Sequence, residues 1–329
     1  MTWMTRRLAF LSVLACTVSA WAGATTGTQT PGWPSKPVRI VVGFPAGSSP
    51  DLTARTLADG VSGLLGQPVV VENRVGAGGN IGADLVAKAT DQHTLGLMIN
   101  GNLTIAKRLN PKLAYDPHKD LQPISLVGVS PLVLVAPTQA PGTDATSFIA
   151  AARQASAQWS YGSPGVGTVG HIGMELFKAR IGTQAVHVPY PGYAQVATAM
   201  IGGDIQLSMM PPALAMAQVR GGKLRAIGVT SSGRSALAPE LPSMAEAGVD
   251  DFNLEIWNAV AAPATLPQPI VQRLAELIST LVREPAIRQK LHQQGWQVVG
   301  SSPEGLAKRI QADTQLLGGM ITKLGLGQS

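Results

Sequence analysis

The run Ser-Tyr-Gly-Ser-Pro-Gly-Val-Gly-Thr-Val-Gly-His-Ile-Gly-Met-Glu at residues 160–175 suits one kind of chemistry: holding an anion on peptide amides. Gly162, Gly165, Gly167 and Gly170 let the backbone turn tightly and let a ligand approach with no Cβ in the way. Behind them Ile172, Leu176, Phe177 and Ile181 recur at helical spacing. The stretch therefore reads as a strand end, a glycine-rich turn and a helix start. A helix beginning there aims unpaired N–H groups and the positive end of its dipole at the turn. That is an anion site made without a charged side chain. His171, at the helix start, either touches the ligand or caps and packs.

Other chemistries fail on context. Gly165, Gly167 and Gly170 spell G-x-G-x-x-G, but a dinucleotide fold wants an acidic residue closing the next strand. The strand expected over residues 185–188 instead runs into Pro189, Tyr190, Pro191 and Gly192. His93, His118, His171, His187 and His292 show no metal-ligand spacing, so neither a metal nor a cofactor is expected. Ser163 lies in Gly-Ser-Pro-Gly, which is not the G-x-S-x-G elbow, so a periplasmic hydrolase acting through Ser163 or His171 stands only as an alternative.

The elements that must position this turn alternate. Residues 38–42 form a strand that enters Gly43-Phe44-Pro45-Ala46-Gly47-Ser48-Ser49-Pro50-Asp51, then a helix with Ala54, Leu57, Ala58, Val61, Leu64 and Leu65 on one face. Here too a strand, a small-residue turn and a helix start follow one another; Ser48 or Ser49 caps, Pro50 suits the first turn, and Asp51 belongs to the helix start. Strands at 69–71 and 95–99 end in a glycine-rich turn (76–82) and in Asn100-Gly101-Asn102. A buried strand at 132–136 and a Pro/Gly/Thr-rich break open a second alternation. This has helices at 146–156, 195–201 and 212–219, and strands at 159–162, 185–189, 205–209 and 225–229. Residues 253–261 are extended again and lead into amphipathic helices striped by Ile270, Leu274, Leu277, Ile278 and Leu281, and by Leu306, Ile310, Leu317, Met320 and Leu324. The expected fold is α/β with two lobes, each a mainly parallel sheet flanked by helices, and a ligand at the strand ends in the cleft. Lobe 1 takes residues 35–133 and 255–329; lobe 2 takes 134–254. Trp257, on the return passage, walls the pocket or packs the hinge.

The first residues read as an export signal. Arg6 and Arg7, an apolar core at 8–18 and Ala20-Trp21-Ala22 predict cleavage after Ala22, leaving residues 23–34 as a flexible arm. A lipoprotein box at Cys16 and a twin-arginine signal are weaker matches. Cys16 is the sole cysteine among 329 residues, so the mature chain would hold no disulfide. Formal charge is +6, from 25 basic and 19 acidic residues, of which the signal removes two basic ones. Charged residues make up only 13% and form no basic block, which argues against nucleic acid and favours anionic small molecules.

From about Trp33 onward the chain resembles a known family, the Bug or TctC-like extracytoplasmic solute-binding receptors of tripartite tricarboxylate transporters. The resemblance rests on Trp33-Pro34-Ser35-Lys36-Pro37-Val38-Arg39, on Gly66-Gln67-Pro68 through Glu72-Asn73-Arg74 with Gly76-Ala77-Gly78-Gly79-Asn80-Ile81-Gly82, and on Tyr115-Asp116-Pro117. Tyr161-Gly162-Ser163, His187-Val188-Pro189-Tyr190 and Gly222-Lys223-Leu224-Arg225-Ala226 continue it. It implies a Venus-flytrap periplasmic binding protein, a monomer whose partners are a small carboxylate and membrane transport subunits. A ligand-binding adaptor for a membrane sensor would share every feature. It further implies that Phe44, Ala46, Gly47 and Ser48 on one lobe, and Ser163, Gly165, Gly167 and Thr168 on the other, close on the carboxylate. Asn102, Tyr190, Gly192 and Met210 complete the expected contacts. Ala46 and Ser48 replace the family's usual second proline and glycine, and Pro191 replaces its lysine. Ser208-Met209-Met210 stands where an aspartate is common, which weakens the case for an amino-acid ligand. Met209 and Met210 form an apolar wall or plain core.

Overall fold

The structure, a computed structural model, describes residues 32–155 and 158–327. The expected signal, its cleavage site, Cys16 and most of the arm lie outside the described residues. The chain runs β1 (Val38–Val42), α1 (Ser49–Leu65), β2 (Val69–Asn73), α2 (Asn80–Ala87), β3 (Thr94–Ile99), α3 (Asn100–Thr104), α4 (Ala106–Leu109), β4 (Leu121–Pro131) and β5 (Val133–Pro137). There follow α5 (Ala145–Ala155), β6 (Ser160–Ser163), α6 (Val169–Ile181), β7 (Val186–Pro189), α7 (Tyr193–Gly202), β8 (Leu207–Met210), α8 (Pro212–Arg220) and β9 (Leu224–Val229). The last elements are β10 (Glu255–Pro263), α9 (Gln268–Arg283), α10 (Pro285–Gln293), β11 (Gln297–Val298) and α11 (Pro303–Lys323).

Two sheets result, ordered β11-β4-β10-β3-β1-β2 and β7-β6-β8-β5-β9. Both are mixed, not mainly parallel. In the first sheet β1 pairs in parallel with β2 and β3, while β10 runs antiparallel to β3 and β4, as β11 does to β4. In the second, β6 is parallel to β7 and β8, but β5 is antiparallel to β8 and β9. The reversed strands are the passages between lobes. β4 and β5 form one nearly continuous extended run from sheet to sheet, and β10 re-enters the first sheet between β3 and β4. Only strands joined through a helix keep the parallel sense.

The passages are tied together at Thr230. Its N–H donates to Leu132 O at 2.9 Å, and its hydroxyl donates to Leu254 O at 2.7 Å. Leu132 N–H in turn donates to Thr230 Oγ1 at 2.8 Å, and Leu254 N–H to Thr230 O at 2.9 Å. All of these groups are buried, so each needs its partner.

Apolar periodicity decides the layers. Ala54, Leu57, Ala58, Val61 and Leu65 of α1 are buried beside Ile270, Leu274, Ile278 and Leu281 of α9 in one core. Each buried Leu or Ile contributes roughly 1.5–3 kcal/mol. Leu64, expected on the α1 stripe, is 45% exposed. Gly66 ends α1 in the left-handed conformation (φ 67°), its N–H returning to Ser62 O. α11 serves both lobes: Leu306 joins the first lobe's core, while Leu317 and Ile321 join the second's. Trp33, in the stretch expected to be a flexible arm, is buried, with its indole N–H donating to Gln92 O at 2.9 Å. Among the described residues no helix is long and apolar enough to cross a membrane.

Candidate functional site

Both small-residue turns lie at C-terminal strand ends and face the cleft. In the first, Gly43 packs against the Gly79 backbone, a closeness no Cβ would allow, and Gly47 takes φ +76°. Asp51, buried in the first turn of α1, locks this loop. Its carboxylate accepts from Gly47 N–H at 2.8 Å, Arg55 Nε at 2.9 Å and Asn73 Nδ2 at 2.8 Å. Burial alone would raise the Asp51 carboxyl, but these donors hold it below its ordinary value. Asn73 also donates to Phe44 O at 2.9 Å, which gives the Glu72-Asn73-Arg74 motif a mechanical role. The α1 N-cap, Ser48, makes no side-chain capping bond, so the first-turn amides stay open.

The second turn runs through Gly165 (φ +119°) and Gly167 (φ +84°) to Thr168, whose hydroxyl donates to Gly165 O at 2.8 Å and accepts from His171 N–H at 3.3 Å. This cap uses one orphan donor and leaves the Val169 and Gly170 amides of α6 open. The starts of α7, behind Gly192, and of α8, behind Pro211, open on the same side without a side-chain cap bond. Tyr193 lies across Gly170, where a Cβ would also crowd Met209 O at 3.3 Å.

The lobes touch. A Cβ at Gly78 would lie 2.7 Å from Val166 O, and one at Gly192 3.4 Å from Pro45 Cδ. Either side of this contact lies a cavity. One, of about 530 Å³, is bordered by residues 44–50, Thr168-Val169-Gly170, Gly192-Tyr193, Pro211, Ala213 and Leu214, with Asn100, Gln294 and Trp296 along the first lobe. The other, of about 570 Å³, is bordered by Val75 to Asn80, Asn102, Leu109, Pro164 to Gly167 and Tyr190. Among the described residues neither has a charged side chain on its wall.

Hydrogen bonding separates them. In the second cavity Asn102 Nδ2 donates to Gly78 O at 3.0 Å and Asn80 Oδ1 at 2.8 Å, and Tyr115 Oη donates to Asn80 Oδ1 at 2.9 Å. That network is complete. Around the first cavity, Ser48 Oγ, Ser49 Oγ, Asn100 Oδ1, Gln294 Oε1 and Trp296 Nε1 are buried without a protein partner. Buried polar atoms are ordinarily satisfied, so a cluster of unsatisfied ones marks a binding cavity. The first cavity is therefore the candidate site.

The residues expected at the site divide accordingly. Phe44 borders both cavities; Ala46, Gly47, Ser48, Thr168 and Gly192 border the first; Asn102, Gly165, Gly167 and Tyr190 border the second. Four expected contacts lie on neither wall. Trp257 is fully buried, its indole N–H bonded to Asp313 Oδ2 at 2.6 Å, because its position in β10 points into the first lobe's core. Met210 is core in the second lobe. Ser163 and His171 are buried behind their turn. Ser163 Oγ bonds His187 Nε2 at 2.8 Å, and the His171 and His187 rings pack at 4.4 Å with Tyr161 stacked on His187 at 4.8 Å. Burial, reinforced by His171, pushes the His187 pKa down to about 4, and burial lowers His171 too. Glu175 is committed to Tyr161 and Lys178 rather than to His187, and Ser163 is fully buried.

Missed from the sequence were Ser49, Asn100, Tyr193, Gln294 and Trp296. Asn100 stood two residues from the chosen Asn102. Gln294-Gly295-Trp296 carried a signal in Gly295, whose φ of +91° turns the chain after α10 and whose missing Cβ admits Ala213 N at 3.2 Å from the other lobe.

Two mixed sheets, double passages and a ligand-sized cavity between the lobes define a solute-binding protein of the two-lobed periplasmic type. The chain belongs to the family described as the tripartite tricarboxylate transporter family receptor, which it matches over residues 53–326. It is 32% identical to Protein BugT of Bordetella pertussis over 98% of each chain. Among solved structures it resembles MatC from Rhodopseudomonas palustris with bound malate, at 29% identity and TM-score 0.83 over 88% of this chain and 100% of that one. It equally resembles a second R. palustris protein solved with adipate, at 29% identity and TM-score 0.84 over 89% of this chain and 99% of that one.

Proposed function

We propose that this chain is a periplasmic receptor that captures a small carboxylate between its lobes and delivers it to the membrane subunits of a tripartite tricarboxylate transporter. The observation that carries the reading is the convergence of open helix starts from both lobes, α1 against α6, α7 and α8, on one cavity without charged side chains. Amides at helix starts recognise an anion, and closing the lobes removes it from water, where each such bond strengthens. The carboxylates bound by two relatives agree with this reading. The chain is exported by a signal cleaved after Ala22 and works as a monomer. Its lobes comprise residues 35–133 with 255–329, and 134–254, pivoting about the Thr230 ties.

Thermal unfolding against a panel of mono- and dicarboxylates tests this. A ligand at a hundred times its dissociation constant adds about 2.7 kcal/mol, which for a chain of this length raises Tm by roughly 4 °C. No shift with any carboxylate at millimolar concentration contradicts the proposal.

A further inference from the structure

The unpaired atoms of the first cavity also describe the far end of the ligand. Gln294 Nε2 donates to Thr56 Oγ1 at 2.9 Å, and the Thr56 hydroxyl proton already goes to Leu52 O at 2.9 Å. Thr56 can therefore only accept, which fixes the Gln294 amide with its carbonyl Oε1 as the free atom. Asn100 is fixed in the same way, because its Nδ2 donates at 3.1 Å to Glu255 O, a backbone carbonyl. Oδ1 is what remains. Asn100 is 1% exposed and Trp296 2% exposed, and the Trp296 Nε1–H has no acceptor. Besides the unpaired Ser48 and Ser49 hydroxyls at the start of α1, the cavity thus offers two fixed acceptors and one donor, all neutral, with no cation on its wall among the described residues. Thr56, which holds Gln294, lies seven residues along α1 from Ser49, on the order of 10 Å from the open amides.

We infer that the ligand is a monocarboxylate of about the length of adipate whose other end is a neutral hydrogen-bond donor, a hydroxyl or primary amide, received by Gln294 beside Trp296. This rests on the carboxylate reading above and refines it. A hydroxyl donates its proton to a carbonyl such as Gln294 Oε1 and accepts from Trp296 Nε1–H; a primary amide does both with separate atoms. A second carboxylate accepts from the Trp296 Nε1–H but has only lone pairs to offer the Gln294 carbonyl oxygen, and it meets no counter-charge. An ammonium group would find acceptors but no counter-charge on the wall, and Asp51 behind the first turn is fully engaged with Gly47, Arg55 and Asn73.

Calorimetric titration of the mature protein with hexanoate, 6-hydroxyhexanoate and adipate tests the inference, the series being matched to the adipate of a relative. The expected order is 6-hydroxyhexanoate about fivefold tighter than hexanoate, as one hydrogen bond gives, and adipate the weakest of the three. Gln294→Leu should abolish the preference for 6-hydroxyhexanoate over hexanoate. Adipate binding as tightly as 6-hydroxyhexanoate, or equal binding of all three by the wild type, overturns the far-end assignment and leaves the carboxylate reading standing. Binding of none of the three overturns both.

Discussion

Replacing Gly101 with alanine separates closure from folding. Gly101 is a helical residue of α3 whose φ is not positive, so alanine fits the local backbone and, with the lobes apart, stabilises it by about 0.5–1 kcal/mol. With the lobes together, the new methyl meets Gly167 O of the opposite lobe. It would sit more than half an ångström inside the 3.0 Å that Cβ atoms keep, and the obstacle is backbone on a glycine turn, not a side chain that can swing away. Overpacking of this kind costs about 1–3 kcal/mol. The whole penalty falls on the closed, ligand-bound form, so affinity should drop about 5- to 150-fold. Calorimetry with the carboxylate that most raises the wild-type Tm gives the affinity, and small-angle scattering with and without it reports closure. The variant should unfold at or above the wild-type temperature when unliganded, bind weakly and compact little. Unchanged affinity together with unchanged compaction would refute the reasoning, because closure would then not bring Gly101 onto Gly167.

Three further outcomes follow from the site and its supports. Asp51→Asn exchanges a buried carboxylate that accepts three hydrogen bonds for a group that must present N–H to one of those donors; it should lose about 1.5–3 kcal/mol by chemical denaturation. Because the Asp51 carboxyl is held low, its contribution is present above the ordinary carboxylate range and is lost as pH falls through it. His187 acts at higher pH: with a folded pKa of about 4 against an ordinary 6.5, the unfolded chain binds the extra proton between those values. Stability should be flat above pH 6.5 and fall from there towards 4, and His187→Asn should flatten that limb; a slope unaltered by the substitution places its origin elsewhere. Trp257→Phe removes the donor to Asp313 and should lower Tm while leaving ligand affinity within error, since Trp257 touches neither cavity; a tenfold loss of affinity would return Trp257 to the pocket.

The lobes were legible because apolar periodicity and glycine turns are local signals, which placed small-residue turns before helix starts at residues 43–51 and within 160–175. The sense of the strands was not. β4 contains Pro123, Gly128 and Pro131, residues that disguise a strand, and it pairs with β10 through register shifts at Asn258/Ala259 and Val260/Ala261. Without it, the passages were read as extended stretches with no pairing of their own, and the sheets looked parallel. At the site, the turn residues were found because their backbone conformation writes itself into glycine. The side chains of the far wall were not, because Gln294 and Trp296 reach the cavity from a segment more than two hundred residues after α1, and nothing in their neighbours names what they face. Ser163, His171 and Met210 were drawn in by nearness in sequence to a true turn. A one-residue step along a strand, or a quarter turn of helix, sends the next side chain inward.

The most direct test of the account is the crystal structure of the protein with a bound monocarboxylate such as hexanoate. The account expects carboxylate oxygens about 3 Å from the open amides that begin α1 and α6, Val169 and Gly170 among them, with no Lys or Arg in contact. A carboxylate lodged instead beside Tyr190 and the Gly76–Gly79 loop, or paired with a basic side chain, contradicts it.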